Sequence, residues 1–400
     1  MPGPRSVIIT FALLCCAGYS QALAQQFKET VRPLPKPTGA SPVGTTIVYF
    51  TDSARRDADF TDGRPINVQL WYPASSSAGA VAPYLADRGL GESLLRNQYY
   101  GVDSAALRAW ARLSTHSHRD AEPASGKHAL IAFSVGLGVA RANYTSIAEE
   151  LASHGMVVAM VESPLQGFMV APNGKDVFDS TGRYGDTAAH RQGVAAWAKD
   201  ISFVLDRLSA KRVPSAAAKV ATTIDWTRVG ATGHSTGGLV AIAACESDVR
   251  VKACVDMDGG VAAPDKQPLA DFVSVGVTKP TLVLRSQPLY DDTTLARRGM
   301  TREQWEKRGE AGTQTLAEFM GRARAPVRQA SVAGTGHFNF SDAPWVMPSA
   351  ITRFGGRIIE PTRGWMIITT TLRTYFENEF AGRGDGLAEL HARFPELMLR

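Results

Sequence analysis

The spacing of hydrophobic positions changes character near residue 128. Before it, Val68, Leu70 and Tyr72 alternate with Asn67, Gln69 and Trp71, a period of two that predicts a strand over residues 66–72. Residues 45–50 read as its partner, and the polar stretch between them, with Asp62-Gly63, as a hairpin loop. Residues 84–125 read as a partly helical insertion. From residue 128 onward, short apolar runs alternate with amphipathic segments. Strands are predicted over 129–133, 156–161, 228–231, 252–255, 281–284 and 327–332. Tyr144, Ile147 and Leu151 form one helical stripe that stops at Gly155, and His190, Val194, Trp197, Ile201, Leu205 and Leu208 form a longer one. A helix follows Ser235, and Trp365, Ile368, Leu372 and Phe376 mark the last. This alternation predicts an α/β fold: a mostly parallel central sheet with helices on both faces and cap-like insertions. The insertions are 84–125 and the loop 162–186, and both are expected to wall whatever site the strand ends form.

The N-terminal segment narrows the setting. Arg5, the apolar run 7–17 and the small residues of Ala22-Leu23-Ala24 predict a signal peptide over 1–24, and so a secreted or periplasmic protein. The run is shorter than the roughly 20 apolar residues that cross a bilayer, and no later stretch is long enough to be transmembrane. Residues 25–43 contain Arg32-Pro33-Leu34-Pro35-Lys36-Pro37 and predict an extended, poorly packed lead-in to a single domain over 44–400. Cys15 and Cys16 fall inside the signal peptide. Cys245 and Cys254 remain, expected as two buried thiols, one in a helix and one in the next strand. The chain has 400 residues, 44% hydrophobic and 20% charged, which is a globular composition. Its net charge of +5 is spread without a Lys/Arg run, which argues against a nucleic-acid partner. Oligomeric state is not legible.

The chemistry centres on Gly233-His234-Ser235-Thr236-Gly237, a G-x-S-x-G sequence between a predicted strand and a predicted helix. Such a turn holds a serine in a strained backbone at the head of a helix, ready to act as a nucleophile. A hydroxyl needs a base to take its proton. His337, in Gly334-Thr335-Gly336-His337-Phe338-Asn339-Phe340, follows the strand over 327–332 and is the candidate; His391 lies in a polar tail. His234 reads as a packed or hydrogen-bonded support. For the acid, Asp258 at a strand end, Asp291, Asp292 and Asp256 all lie between nucleophile and base, with Asp258 preferred. The oxyanion hole would use the N–H groups of Thr236 and of Leu137, in Ser134-Val135-Gly136-Leu137-Gly138. Phe168 and Met169 are candidate substrate-binding residues. Catalysis by Ser, His and Asp requires no metal or organic cofactor.

Several of these segments carry a family likeness. Arg64-Pro65 with Val68 and Trp71-Tyr72-Pro73, Gly136-Leu137-Gly138, Leu151-Ala152-Ser153-His154-Gly155, the elbow, and Asp256-Met257-Asp258-Gly259 resemble the plasma-type (isoform II) platelet-activating-factor acetylhydrolases, within the α/β-hydrolases. The resemblance implies Asp258 as the acid, Gly336-His337 with Asn339-Phe340 as the histidine loop, and Leu137 and Thr236 as oxyanion donors. It departs where the family usually has His-Gly before the leucine and this chain has Val135-Gly136. The implied activity is hydrolysis of small-molecule carboxylic esters or lipids, of short-chain acyl or phospholipid type. Alternatives are a polyester or xenobiotic esterase, or a non-catalytic binding protein on the same fold.

Overall fold

In the computed structural model, the described residues are 28–400 apart from 57, 262–266, 298 and 350–358, so the expected signal peptide lies outside them. The strands are β1 (Val43–Asp52), β2 (Arg64–Pro73), β3 (Val81–Pro83), β4 (Ser114–Arg119), β5 (His128–Ser134), β6 (Val157–Glu162), β7 (Met169–Val170), β8 (Asp176–Val177), β9 (Ile224–His234), β10 (Val251–Met257), β11 (Thr281–Gln287), β12 (Val327–Ala333) and β13 (Leu397–Leu399). Eleven of them form one sheet in the order β13-β12-β11-β10-β9-β5-β6-β2-β1-β4-β3, and β7 and β8 pair separately. From β6 through β5, β9, β10 and β11 to β12 every pairing is parallel. β1 and β2 make the expected antiparallel hairpin, from Val43 opposite Pro73 to Asp52 opposite Arg64.

Side chains on β5 explain why both faces are covered. Ile131 and Phe133 point into one core with Val158, Met160, Val255 and Leu282, while Leu130 and Ala132 point into another with Val157, Ala159 and Val161. A strand apolar at successive positions has no face it can leave wet. The helices Thr145–Ser153 and Pro361–Phe380 close the first core through Ile147, Leu151, Trp365, Ile368 and Leu372. The helices Thr187–Ser209 and Thr236–Ser247 close the second through Val194, Trp197, Ile201, Leu239 and Ile242. No helix among the described residues is long and apolar enough to cross a membrane.

Three sequence expectations change. The proline-rich lead-in is packed: Leu34 is buried, Arg32 N–H donates to the Trp345 carbonyl at 2.8 Å, and Ser41 N–H donates to the Ser153 carbonyl at 3.0 Å. Prolines remove some donors, and several of those left, including Thr38 and Gly39, find acceptors on the domain. The 84–125 insertion contributes the helices Leu90–Arg96 and Ser104–Trp110, but also β4, which pairs parallel to β1. Its Leu94, Tyr99 and Trp110 are fully buried, so it builds core rather than a cap. Cys245 and Cys254 are not thiols but a disulfide, with Cα atoms 6.2 Å apart. Only a short turn separates the end of the helix Thr236–Ser247 from β10, which returns alongside it and brings the two cysteines face to face.

Closing so short a loop is worth about 2–3 kcal/mol through the unfolded chain. The free energy of unfolding read from a urea titration should therefore fall by that amount, and the midpoint with it, when a reductant is present. An unmoved midpoint, with free thiols verified by alkylation, would show that the bridge contributes nothing.

Candidate active site

After β5 the chain goes to β6 on one side, and later to β9 on the other. At such a reversal the loops leaving neighbouring strands diverge and open a crevice at their C-terminal ends. Here those ends are Ser134 of β5, which leads into Gly136-Leu137-Gly138, and His234 of β9, which leads into Ser235.

Ser235 has φ 57° and ψ −128°, a conformation that non-glycine residues rarely hold. Its N–H donates to the Met257 carbonyl at 2.8 Å, and its carbonyl accepts from Gly238 N–H at 2.9 Å. The flanking glycines are steric necessities. A Cβ on Gly233 would lie 2.2 Å from the Gly237 oxygen, and one on Gly237 would lie 2.2 Å from the Ser134 oxygen. The helix begins at Thr236, so the first turn's N–H groups and the positive end of the helix dipole face the crevice.

The candidate acid and the candidate base meet across β10, β11 and the loop after β12. Asp258, just past β10, has φ 56° and is anchored by its own N–H to the Leu284 carbonyl at 2.8 Å. Its Oδ1 accepts from Ser286 N–H at 2.8 Å, and its Oδ2 accepts from Ser286 Oγ at 2.9 Å and from His337 Nδ1 at 2.7 Å. Burial pushes this carboxyl up, but the His337 hydrogen bond, the imidazole's charge and the Arg285 guanidinium outweigh it and hold it at about 2. Because Nδ1–H is committed to a carboxylate, Nε2 of His337 is left as the acceptor. Asp256 is buried behind, where its Oδ1 accepts from Gly259 N–H at 2.8 Å, and burial pushes its carboxyl up to about 6. Asp291 accepts from Thr294 N–H at 2.7 Å at a helix start, and Asp292 pairs with Arg302 at 2.7 Å. Neither pairs with His337 in these bonds. His391 bonds the Leu397 carbonyl, far along the chain from the loop.

His234 is a relay between loops. Its Nε2 meets the His337 carbonyl at 2.9 Å, and its Nδ1 meets the Tyr144 hydroxyl at 2.9 Å. A carbonyl only accepts, so Nε2 carries the proton and Nδ1 receives the Tyr144 O–H. The same Tyr144 oxygen accepts Gly136 N–H at 3.0 Å. Burial first, then the neighbouring His337, pushes the His234 imidazole well below its ordinary value, in keeping with this neutral form. The oxyanion loop, the elbow and the base loop are thus tied in one chain of bonds. Gln166 adds a second tie. Its Nε2 donates to Ser134 Oγ at 2.9 Å and to the Val135 carbonyl at 2.8 Å, and its carbonyl accepts Gly138 N–H at 2.6 Å. Val135 itself is buried core, so support for the loop comes from Tyr144 and Gln166. Among the described residues, the N–H groups of Leu137 and Thr236 have no protein acceptor. Tyr144 and Gln166 escaped sequence reasoning, although Tyr144 stood in the helical stripe.

Ser235, Thr236, Asp258 and His337 line one cavity of about 890 Å³. Its other walls are Leu239, Leu269, Tyr290 and the helix Arg302–Gly321, which presents Trp305 and Ala317. This corrects two expectations. The walls come from His190, from Leu239 beside the elbow and mostly from beyond residue 258, and none from 84–125 or 162–186. Phe168 and Met169 are not in the lining: Phe168 stacks on Phe178 with ring centroids 4.4 Å apart, and Met169 packs with Ala171 and Val177. Both are apolar enough to be drawn into a core behind the loop.

A ferulic acid esterase from Streptomyces cinnamoneus superposes with a TM-score of 0.70 at 24% identity, over 92% of this chain and 99% of that one. The protein has the α/β-hydrolase fold. The family described as platelet-activating factor acetylhydrolase, isoform II, matches residues 28–166 of this chain, a stretch that includes Leu137 and ends at Gln166. A protein of Arthroderma benhamiae named probable 1-alkyl-2-acetylglycerophosphocholine esterase is 25% identical over 266 residues. That match takes in 62% of this chain and 64% of that relative, so it spans less than two thirds of the relative's length.

Tyr144→Phe should strand Gly136 N–H and His234 Nδ1 in the interior. The expected cost is about 1–3 kcal/mol of stability, with reaction of Ser235 toward a fluorophosphonate probe slowed by about tenfold or more as the loop loosens. Unfolding in urea and timed labelling measure the two. Wild-type values in both would dissolve the relay.

Proposed function

We propose that the protein is a serine esterase that cleaves carboxylic esters at Ser235 through an acyl-enzyme, favouring short acyl groups on larger alcohol arms. One observation carries this reading: His337 commits Nδ1–H to Asp258, at 2.7 Å, and lines the same cavity as a serine held on a strained elbow. Nε2 of His337 then takes the Ser235 proton as Oγ attacks the ester carbonyl. The negative oxygen that develops is met by the N–H groups of Leu137 and Thr236. His337 returns the proton to the departing alcohol, and water repeats the sequence on the acyl-enzyme. Asp258 holds the imidazole in this tautomer and balances its charge. The names of the relatives support an ester as substrate: one describes an esterase of an acetyl-bearing glycerophosphocholine, the other a ferulic acid esterase. A second reading, esters with an aromatic arm, is favoured by the rings of Tyr290 and Trp305, which meet edge to face at 4.7 Å in the cavity wall. We also propose export, on the signal-like N-terminus and on a disulfide of the kind that persists in oxidising compartments.

Ser235→Ala and His337→Ala should each lower turnover of 4-nitrophenyl acetate by about 10⁶ in folded protein, and Asp258→Asn by about 10⁴. Asp291→Asn and Asp292→Asn should do far less. Substantial activity in either of the first two variants would end the triad reading. Across acetyl, butyryl, octanoyl and palmitoyl esters of one alcohol, kcat/KM should fall with length and be indifferent to a chelator. A steady rise toward palmitoyl would refute the acyl preference.

A further inference from the structure

His190 belongs to the cavity wall but to none of the chemistry described above. It stands near the start of the helix Thr187–Ser209 and shares the wall with Leu239 and Leu269. Only 4% of it is exposed. Its Nδ1 meets the Tyr184 carbonyl at 3.2 Å. A carbonyl only accepts, so Nδ1 carries the proton and Nε2 is left as an acceptor. Nε2 is buried, and among the described residues it has no hydrogen-bond partner.

The bond to Tyr184 gives that acceptor a direction. The two nitrogens of an imidazole point to nearly opposite sides, and Tyr184 is not in the wall. The Nδ1 edge is therefore turned into the protein and the Nε2 edge toward the cavity. The ring is neutral there. Burial pushes it below its ordinary value, and the positive end of the helix on which it stands acts in the same direction. A buried acceptor without a partner is uncommon, because nothing offsets its loss of water. The group that suits it is a donor without charge. A cation would gain more from Glu306 and Glu310, elsewhere in the same wall, than from a neutral imidazole.

We propose that His190 is a specificity residue: its Nε2 accepts a hydrogen bond from a hydroxyl on the alcohol arm of the ester cleaved at Ser235. The proposal rests on the esterase reading above, in which the larger arm fills the cavity. It narrows the substrate class to partial esters of diols and polyols, whose alcohol arms keep a free hydroxyl after acylation. It also assigns recognition of that arm to the helix Thr187–Ser209, apart from the strand ends that carry Ser235, Asp258 and His337.

The test uses the full chain and acetate esters of linear alcohols of graded length, each in three forms that end in a hydroxyl, a methyl ether or a methyl group. The ether keeps the polarity and lacks the donor. The quantity read is kcat/KM for the hydroxyl ester over that for its ether, in which effects on the shared chemical steps cancel. In the wild type this ratio should reach about tenfold or more at one chain length, since the ether leaves Nε2 unpaired. His190→Phe keeps a ring without an acceptor and should bring the ratio to about one, mainly through KM. His190→Gln, whose Oε1 can accept, should retain part of it. A wild-type ratio near one at every length overturns the proposal, and this needs no variant to fold. A preference that His190→Phe leaves unmoved overturns it too, because the acceptor then lies elsewhere in the wall, at Glu306 or Glu310. A protein that cleaves none of the esters and ignores a fluorophosphonate loses the esterase reading and the role of His190 together, whereas one that cleaves the methyl-ended esters without preferring a hydroxyl loses only the role of His190.

Discussion

At the C-terminal ends of β5 and β9 two backbones approach so closely that no side chain fits between them. Gly237 lies against the Ser134 and Val135 carbonyls, and Gly233 lies against Gly237 and Ser134. That contact fixes where Ser235, the candidate nucleophile, stands. It forces the chain to turn within one residue, and so puts Ser235 at φ 57°. It also starts the following helix beside the loop that carries Leu137. A residue so held costs on the order of 1–3 kcal/mol, and Asp258 at φ 56° adds a similar amount. Such strain persists because the surrounding parallel strands, packed on both faces, leave those two residues no other place to go.

The approach of the strands would not by itself hold three loops in register. Buried polar groups do so, because each must find a partner in the absence of water. Tyr144, His234 and the His337 carbonyl link the oxyanion loop to the base loop through the elbow. Behind them Arg141, fully buried, faces Asp87 and Glu162, and its own N–H donates to Glu162 Oε1 at 2.9 Å. Burial pushes the Glu162 carboxyl up to about 7, while Arg141 pulls it down. Removing Arg141 would leave Asp87 and Glu162 without their shared cation in the interior, the costly case for buried charges. The result is a site whose donors are held in position by the fold itself, the preorganisation that the proposed chemistry would call for.

Much of this was legible in the chain because the relevant signals are local. A period of two at 66–72, apolar runs spaced by helical stripes, and glycines flanking a serine each act within a few residues of where they are written. The order Ser235, Asp258, His337 followed from the fold class, since parallel strands deliver their loops to one edge in sequence. The preference for Asp258 over Asp291 and Asp292 rested on its position at a strand end, and the structure pairs Asp258 with His337 for that reason.

What the sequence could not contain are relations between distant residues of ordinary type. Cys245 and Cys254 read as thiols until the turn between helix and strand set them side by side. Phe168 and Met169 looked available for a pocket, but an apolar side chain goes to whichever interior is nearest, and theirs lies behind the loop. The helix Arg302–Gly321 gave almost no stripe, because among its described residues the anchors, Leu316, Phe319 and Met320, cluster in its last turns while others stand over the cavity. Gln166 and Tyr144 carry no motif; their roles arise from which backbone groups the fold left without a partner. The chain by itself determined the elements, the elbow and the order of the chemical groups, because these depend on neighbours in sequence. Tertiary structure alone decided the bridge, the cavity walls and the bonds that align the loops, because these depend on distances that only packing sets.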